Sequence, residues 1–287
     1  MRKSLPAFVL AALFSAAAFG ATPVTKYNNQ EKTCIAPWWF GPNAFPVPYM
    51  SDGTVDGKLK MEAGVRYDDG FLVADEHDRT WSLPYRISVP LFSDRVNMCL
   101  WGEFQEWWHM GPETIAARRL EGITDKCNNN GEMWLSTDFI LLREGRIRPE
   151  ITVRATLKSA AGWGYFNARY YDSAGYFFDA NFAKTFGRFR VAAAAGFLCW
   201  QTDNGRQNDA LMYALGVSYN GDVVKARAEI GGYSGAENNH DSPLSARARV
   251  NFNLGSFEPF IRYEYGIRDY PFSRYDAGLA WSFTLIK

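Results

Sequence analysis

From Leu244 to Leu285 the chain keeps a period of two through three consecutive segments, and few architectures tolerate that. One face reads Leu244, Ala246, Ala248, Val250, Phe252, Leu254, and the interleaved face reads Ser245, Arg247, Arg249, Asn251, Asn253. After Gly255-Ser256 the next segment sets Phe257, Pro259, Ile261, Tyr263, Tyr265 and Ile267 against Glu258, Phe260, Arg262, Glu264, Gly266 and Arg268. The last sets Tyr275, Ala277, Leu279, Trp281, Phe283 and Leu285 against Asp276, Gly278, Ala280, Ser282 and Thr284. Side chains that alternate in this way mark β-strands, with successive residues on opposite faces. The runs are longer than the five or six residues usual in soluble sheets, and they match the nine to eleven that cross a bilayer at a tilt. An apolar, aromatic face beside an arginine- and glutamate-rich one fits a membrane barrel with lipid outside and polar groups within.

The same alternation recurs upstream. Strands are expected from Leu59 to Asp68, Trp81 to Leu91, Val96 to His109, Met133 to Leu142, Ile147 to Lys158, Tyr176 to Phe186, Phe189 to Trp200, Asp209 to Tyr219 and Val223 to Gly232. With the final three they make about twelve, an even number as in single-chain bacterial barrels. Pro84 and Pro90 cannot donate to a ladder, so a bulge is expected in the second strand. The connections alternate in length. Asp69 to Thr80, Gly111 to Glu132, Ser159 to Gly175, Gln201 to Asn208, Tyr233 to Pro243 and Asp269 to Arg274 are long. Ser93-Asp94, Glu144-Gly145, Gly187-Arg188, Asn220-Gly221 and Gly255-Ser256 are short. Short turns at one end and long loops at the other predict an all-β, antiparallel, up-and-down transmembrane β-barrel in the bacterial outer membrane, with both termini periplasmic.

The N-terminal residues divide differently. Met1 to Gly20 has the basic start, apolar stretch and Ala18-Phe19-Gly20 cleavage pattern of a secretory signal. Ala21 to Gly57 is Pro/aromatic-rich and not strand-like; Trp38, Trp39, Phe40 and Phe45 lie among its prolines. Such a segment needs something to pack against, so it is expected as a plug in the lumen or a lid at the periplasmic mouth. Residues 58 to 287 then form the barrel. Ten Trp and fifteen Tyr are expected in girdles at the two membrane surfaces. The formal net charge is zero, which gives nucleic-acid binding no electrostatic support.

On these residues the chain resembles the bacterial outer-membrane β-barrel superfamily from about Leu59 to Leu285. The last strand is similar to that superfamily's carboxy-terminal assembly signal through Tyr275, Leu279, Trp281 and Phe283, although it ends Leu285-Ile286-Lys287 rather than on an aromatic. The resemblance implies outer-membrane lipids and the barrel-insertion machinery as partners. Ala36 to Tyr49, Tyr170-Tyr171-Asp172 and Cys199 to Gly205 also resemble uncharacterised barrels common in Bacteroidota, a likeness that brings no activity.

Charged inward residues are the candidates for function. The expected lumen lining includes Arg66, Glu103, Arg148, Glu150, Arg154, Arg227, Glu229, Arg247, Arg249, Arg262, Glu264 and Arg268, with cations in modest excess. One reading is a salt-bridged interior that fixes register; another is a narrow pathway that prefers anions. Both make the role passive, either small-solute passage or a structural envelope role. The alternative is a lipid-acting barrel enzyme. Outer-membrane phospholipase A is similar in size and strand number, but of its His-x-Ser-Asn-Gly-Arg stretch only Asn204-Gly205-Arg206 stands here. Gln201 and Asp203 occupy the places of the base and the nucleophile, and a Gln cannot take a proton. His240-Asp241-Ser242 repeats a His-x-Ser spacing in a polar loop, and His109 is expected in an aromatic girdle. No catalytic residue, cofactor or metal site is expected. Cys34, Cys99, Cys127 and Cys199 allow three full pairings, among which the sequence does not choose.

Overall fold

The computed structural model describes residues 45–51, 54–73, 76–117, 126–159, 174–200, 208–235, 241–269 and 272–285. The expected signal segment, together with Trp38, Trp39, Phe40 and Cys34, lies outside the described residues. Among the described residues the strands are β1 (Lys58–Val73), β2 (Glu76–Pro90), β3 (Val96–His109), β4 (Lys126–Asn129), β5 (Met133–Leu142), β6 (Glu150–Lys158), β7 (Gly175–Phe186), β8 (Phe189–Trp200), β9 (Ala210–Asn220), β10 (Val224–Ser234), β11 (Leu244–Phe252), β12 (Phe257–Arg268) and β13 (Phe272–Thr284), and a short helix, α1, spans Pro112–Ala117. All but β4 form one antiparallel ring. Each pairs with its barrel neighbours, and β1 closes the ring on β13 from Lys58↔Thr284 to Gly70↔Phe272. Closure leaves no free edge along the ring, so the backbone groups of the spanning region find partners without water.

The two faces have the polarity that the alternation requires. Val65, Leu135, Phe139, Val153, Phe182, Val191, Leu215, Ile261 and Leu279 point outward and are exposed. Fully exposing such side chains to water would forgo about 1.5–3 kcal/mol each, which a hydrocarbon surround restores. Inside, Arg66, Asp68, Arg154, Asp179, Glu229, Arg247, Glu264, Arg274 and Asp276 are all buried. Outward aromatics collect near both ends of the apolar band. Tyr67, Trp81, Tyr263 and Tyr275 cluster toward the long loops, with Tyr67–Trp81 centroids 4.9 Å apart and Tyr263–Tyr275 5.0 Å apart. Phe257, Trp281 and Phe283 cluster toward the short turns.

The ladder departs from the sequence expectation at the long-loop end. Asp69 to Thr80 is not a loop: the β1–β2 ladder continues through Asp69↔Arg79 to Val73↔Glu76. Beyond the bilayer a strand needs no outward apolar row, and Asp69 to Thr80 carries no alternation to read. The β4 segment also lies in what reads as a loop. It pairs Glu106 to His109 of β3, because β5 reaches only as far as Gly102↔Met133 and leaves that edge open.

The bulge expected from the prolines is present, with the register shifting between Ser82↔Glu106 and Pro84↔Glu103. It also reverses the parity of β3. Trp107, expected on the polar face, is 47% exposed on the outside, whereas Glu106 and Trp108 turn inward and are buried.

Candidate functional site

The interior is occupied by the stretch just before β1. Phe45 lies at the long-loop end, where its carbonyl accepts a 2.8 Å hydrogen bond from the Tyr233 hydroxyl and its ring sits 6.2 Å from that of Trp200. Met50 is at mid-height among Ala183, Ala192, Ala194 and Ala214. Ser51 Oγ donates to Asp138 at 3.0 Å, and Gly57 delivers the chain to β1 at the short-turn end. Residues 45–51 and 54–57 therefore form a strap along the bore. Small residues make room for it: a Cβ on Gly216 would stand 2.4 Å from Met50 Cε.

Arginines hold the strap by its backbone. Arg247 donates to the carbonyls of Val47 and of Pro48, the latter at 3.1 Å, and Arg227 donates to the Met50 carbonyl at 2.5 Å. The Met50 amide donates to Glu229 at 3.3 Å, and the Tyr49 hydroxyl to Glu264 at 3.2 Å. The Tyr49 ring lies 4.3 Å from the Arg247 guanidinium and 5.2 Å from that of Arg262. A proline-rich strap exposes carbonyls that no ladder satisfies, and guanidinium donors on the wall supply what the backbone lacks.

The same arginines belong to chains of ion pairs. One runs Asp68–Arg274–Glu264–Arg247–Glu229–Arg227, with contacts of 2.6, 3.5, 2.8, 3.0 and 2.8 Å. A second runs Glu103–Arg66–Asp276–Arg262, in which Asp276 meets Arg66 at 2.6 Å and Arg262 at 2.9 Å. Arg249 grips Glu62 with two bonds of 2.9 and 3.0 Å, and Arg154 grips Asp179 at 2.7 and 3.0 Å. Buried charges are tolerable only when paired in this way.

Toward the short turns the bore opens into a cavity of about 550 Å³. The strap forms one wall, and Lys60, Glu62, Arg86, Asp138, Arg154, Arg227, Arg249, Glu258 and Arg262 are among the charged residues around it. Eleven Lys and Arg side chains against six Asp and Glu line it, and Asp68, Asp179, Glu264 and Asp276 pair with its arginines from behind, which leaves the cations a slight excess. Several of these cations lie over rings: Arg86 over Trp101 at 5.1 Å, Arg154 over Phe177 at 4.8 Å and Arg249 over Phe260 at 4.0 Å.

Of the residues expected at the lumen, Arg66, Glu103, Arg154, Arg227, Glu229, Arg247, Arg249, Arg262 and Glu264 point into the bore. Glu150 stands at the short-turn rim, bound to Arg190 at 2.6 Å. Two positions are corrected. Arg148 is exposed in the β5–β6 turn, because Pro149 cannot donate and β6 starts only at Glu150. Arg268 leaves the inward row at a bulge that sets it opposite Leu244, and its guanidinium binds the Ser242 carbonyl and hydroxyl at 2.5 and 2.7 Å.

The sequence reading assigned the aromatics to girdles and so missed an inner cluster beside Phe45. Trp134 contacts Trp101, Phe177 and Trp200 at 5.9, 6.3 and 5.8 Å, and Trp200 contacts Tyr233 at 6.3 Å. Strand parity was the available signal: Trp134 shares a face with Ser136 and Asp138, and Phe177 with Asp179 and Asn181.

Residues 201–207 and His240 lie outside the described residues, and the Ser242 hydroxyl faces Arg268, a donor that cannot take its proton. Among the described residues no group of three or more His, Cys, Asp or Glu is arranged to hold a metal.

No protein-family profile matches the chain, and no curated protein is detectably similar to it. Solved structures are. An outer membrane channel of the COG4313 group from Pseudomonas putida F1 superposes with a TM-score of 0.58 at 12% identity, over 84% of this chain and 97% of that one. The NanC porin gives 0.49 at 9% identity, over 78% and 98%, and the KdgM porin, solved with disordered oligogalacturonate, gives 0.47 at 10% identity, over 79% and 99%. What the chain shares with the Pseudomonas channel at this identity is its fold, a closed antiparallel barrel.

Proposed function

We propose that the chain is an outer-membrane barrel with a passive role, letting small solutes, anions before cations, through a narrow charged lumen that the strap constricts. The cavity beside the strap carries this reading: it is lined by an excess of Lys and Arg and lies directly against a segment that no strand ladder holds. A gap of that kind is useful to a pathway and unnecessary to a purely mechanical barrel, which is stabler when filled. The fold shared with an outer-membrane channel supports the location. In this reading the short turns and the C-terminal end face the periplasm, the long loops face outward, and the outward Tyr275, Leu279 and Trp281 of β13 present the assembly signal to the insertion machinery.

The test is electrical. Purified protein in a planar bilayer under a tenfold KCl gradient is expected to give small current steps whose reversal potential has the sign of chloride preference. A form lacking residues 21–51 is expected to give larger steps. Absence of current in both forms would refute passage and leave the barrel a structural element of the envelope.

A further inference from the structure

At the short-turn end, two neighbouring turns carry apolar side chains that none of the described residues covers. Phe92, between β2 and β3, is 99% exposed, and Ile147, between β5 and β6, is 91% exposed. Phe92 also holds a φ of 59°, a left-handed conformation costly for a bulky residue, so the turn maintains its exposure at the expense of local strain. Because β3 pairs with β5 the two turns are adjacent, and Arg143 joins them through a 2.5 Å contact to Asp94.

The charge there that is not tied up in ion pairs among the described residues is of one sign. Arg95, Arg146 and Arg148 are exposed and form no ion pair among the described residues. The nearby carboxylates are committed elsewhere, Asp94 to Arg143 and Glu144 to Thr185, Lys184 and Arg190. The patch is continuous with the lipid-facing surface through outward-pointing Phe139 and Leu141.

From this combination we infer that the rim formed by the β2–β3 and β5–β6 turns is a binding site for anionic phospholipid headgroups. Phe92 and Ile147 enter the boundary of the acyl chains, and Arg95, Arg146 and Arg148 donate to the phosphate oxygens. Guanidinium groups suit phosphate through paired donors, and an apolar tip flanked by cations is how a protein surface seats itself at a bilayer interface. The inference rests on the membrane reading above and adds a lipid preference to it.

Native mass spectrometry of the detergent-solubilised barrel, with phosphatidylglycerol and phosphatidylethanolamine added at equal concentration, tests it. The wild type is expected to retain phosphatidylglycerol about tenfold better, and an R95Q/R146Q/R148Q variant less than about twofold better, given the contribution of each cation near an anionic surface. An F92S/I147S variant is expected to hold both lipids less while keeping their ratio. Glycerol 3-phosphate, which offers the phosphate without the chains, is expected not to compete. Equal retention of the two lipids by the wild type, or an unchanged preference in the arginine variant, overturns the inference. Failure of the wild type to insert into phosphatidylethanolamine/phosphatidylglycerol vesicles would instead overturn the membrane reading itself.

Discussion

Replacing Arg247 with Leu is expected to free the strap without dissolving the barrel. Arg247 gives the strap two charge-assisted hydrogen bonds, to the Val47 and Pro48 carbonyls, and lies over the Tyr49 ring. Hydrogen bonds to charged groups contribute about 1.5–3 kcal/mol each and a cation–π contact about 0.5–2 kcal/mol. Taking the low end of each gives roughly 3.5–4 kcal/mol, which moves the equilibrium between seated and released strap by about 300- to 1,000-fold. The barrel wall is better insured. Glu229 keeps Arg227 at 2.8 Å, and Glu264 keeps Arg274 at 3.5 Å, so neither carboxylate is left buried alone. Single-channel recording is the assay: the fraction of time in the larger conductance state should rise by two to three orders of magnitude. Arg190→Leu, which removes a pair at the turn rim remote from the strap, should leave that fraction unchanged. Identical open fractions in a folded Arg247→Leu barrel and the wild type would refute the idea that these bonds seat the strap.

Other consequences can be tested separately. Glu62→Gln releases Arg249 from its two-bond grip, so the reversal potential in a KCl gradient should move further toward chloride; a shift toward potassium would contradict the assignment of Arg249 to the conducting wall. In Gly196→Ala, the added Cβ would stand 2.0 Å from the Phe178 carbonyl oxygen, backbone that cannot swing aside, and overpacking of this kind costs about 1–3 kcal/mol. Urea unfolding followed by gel mobility should show the lowered midpoint. In the β5–β6 turn, burial pushes the Glu144 carboxyl up, but the Thr185 amide and hydroxyl together with Lys184 outweigh it and hold the group below its ordinary range. A depressed carboxyl contributes stability that is present above its unfolded pKa and lost as pH falls through the folded one. Protection of the Thr185 amide relative to its intrinsic exchange rate should therefore fall on acidification below about pH 4 in the wild type, and lose that dependence in Glu144→Gln.

What the sequence made legible follows from where the solvent changes. Across the membrane one face meets hydrocarbon and the other a charged bore, so β11, β12 and β13 declare themselves by alternation alone. Beyond it no lipid-facing row is required, and the outer halves of β1 and β2 and all of β4 carry no such mark. Bulges are the second source of error. Each one exchanges the faces of every residue beyond it, which explains why Trp107 and Arg268 lie opposite to where parity placed them. The paired charges of the wall were legible as a set, but their partners were not, because Arg249–Glu62 joins residues 187 apart in the chain across the lumen. The strap was readable as something needing a wall, from its prolines and aromatics; which wall required the structure.

The route of residues 45–51 and 54–57 bears on how the molecule is put together. They start beside Trp200 and Tyr233 at one rim and hand over to the first strand at the other. If the seam between the first and last strands zipped while that thread hung outside, the leading end would have to be fed through a hole already crowded with interlocked ions. Stitching the seam last, around a thread already laid in place, avoids the passage. The path of a few prolines thus favours one sequence of events in the insertion of the whole ring.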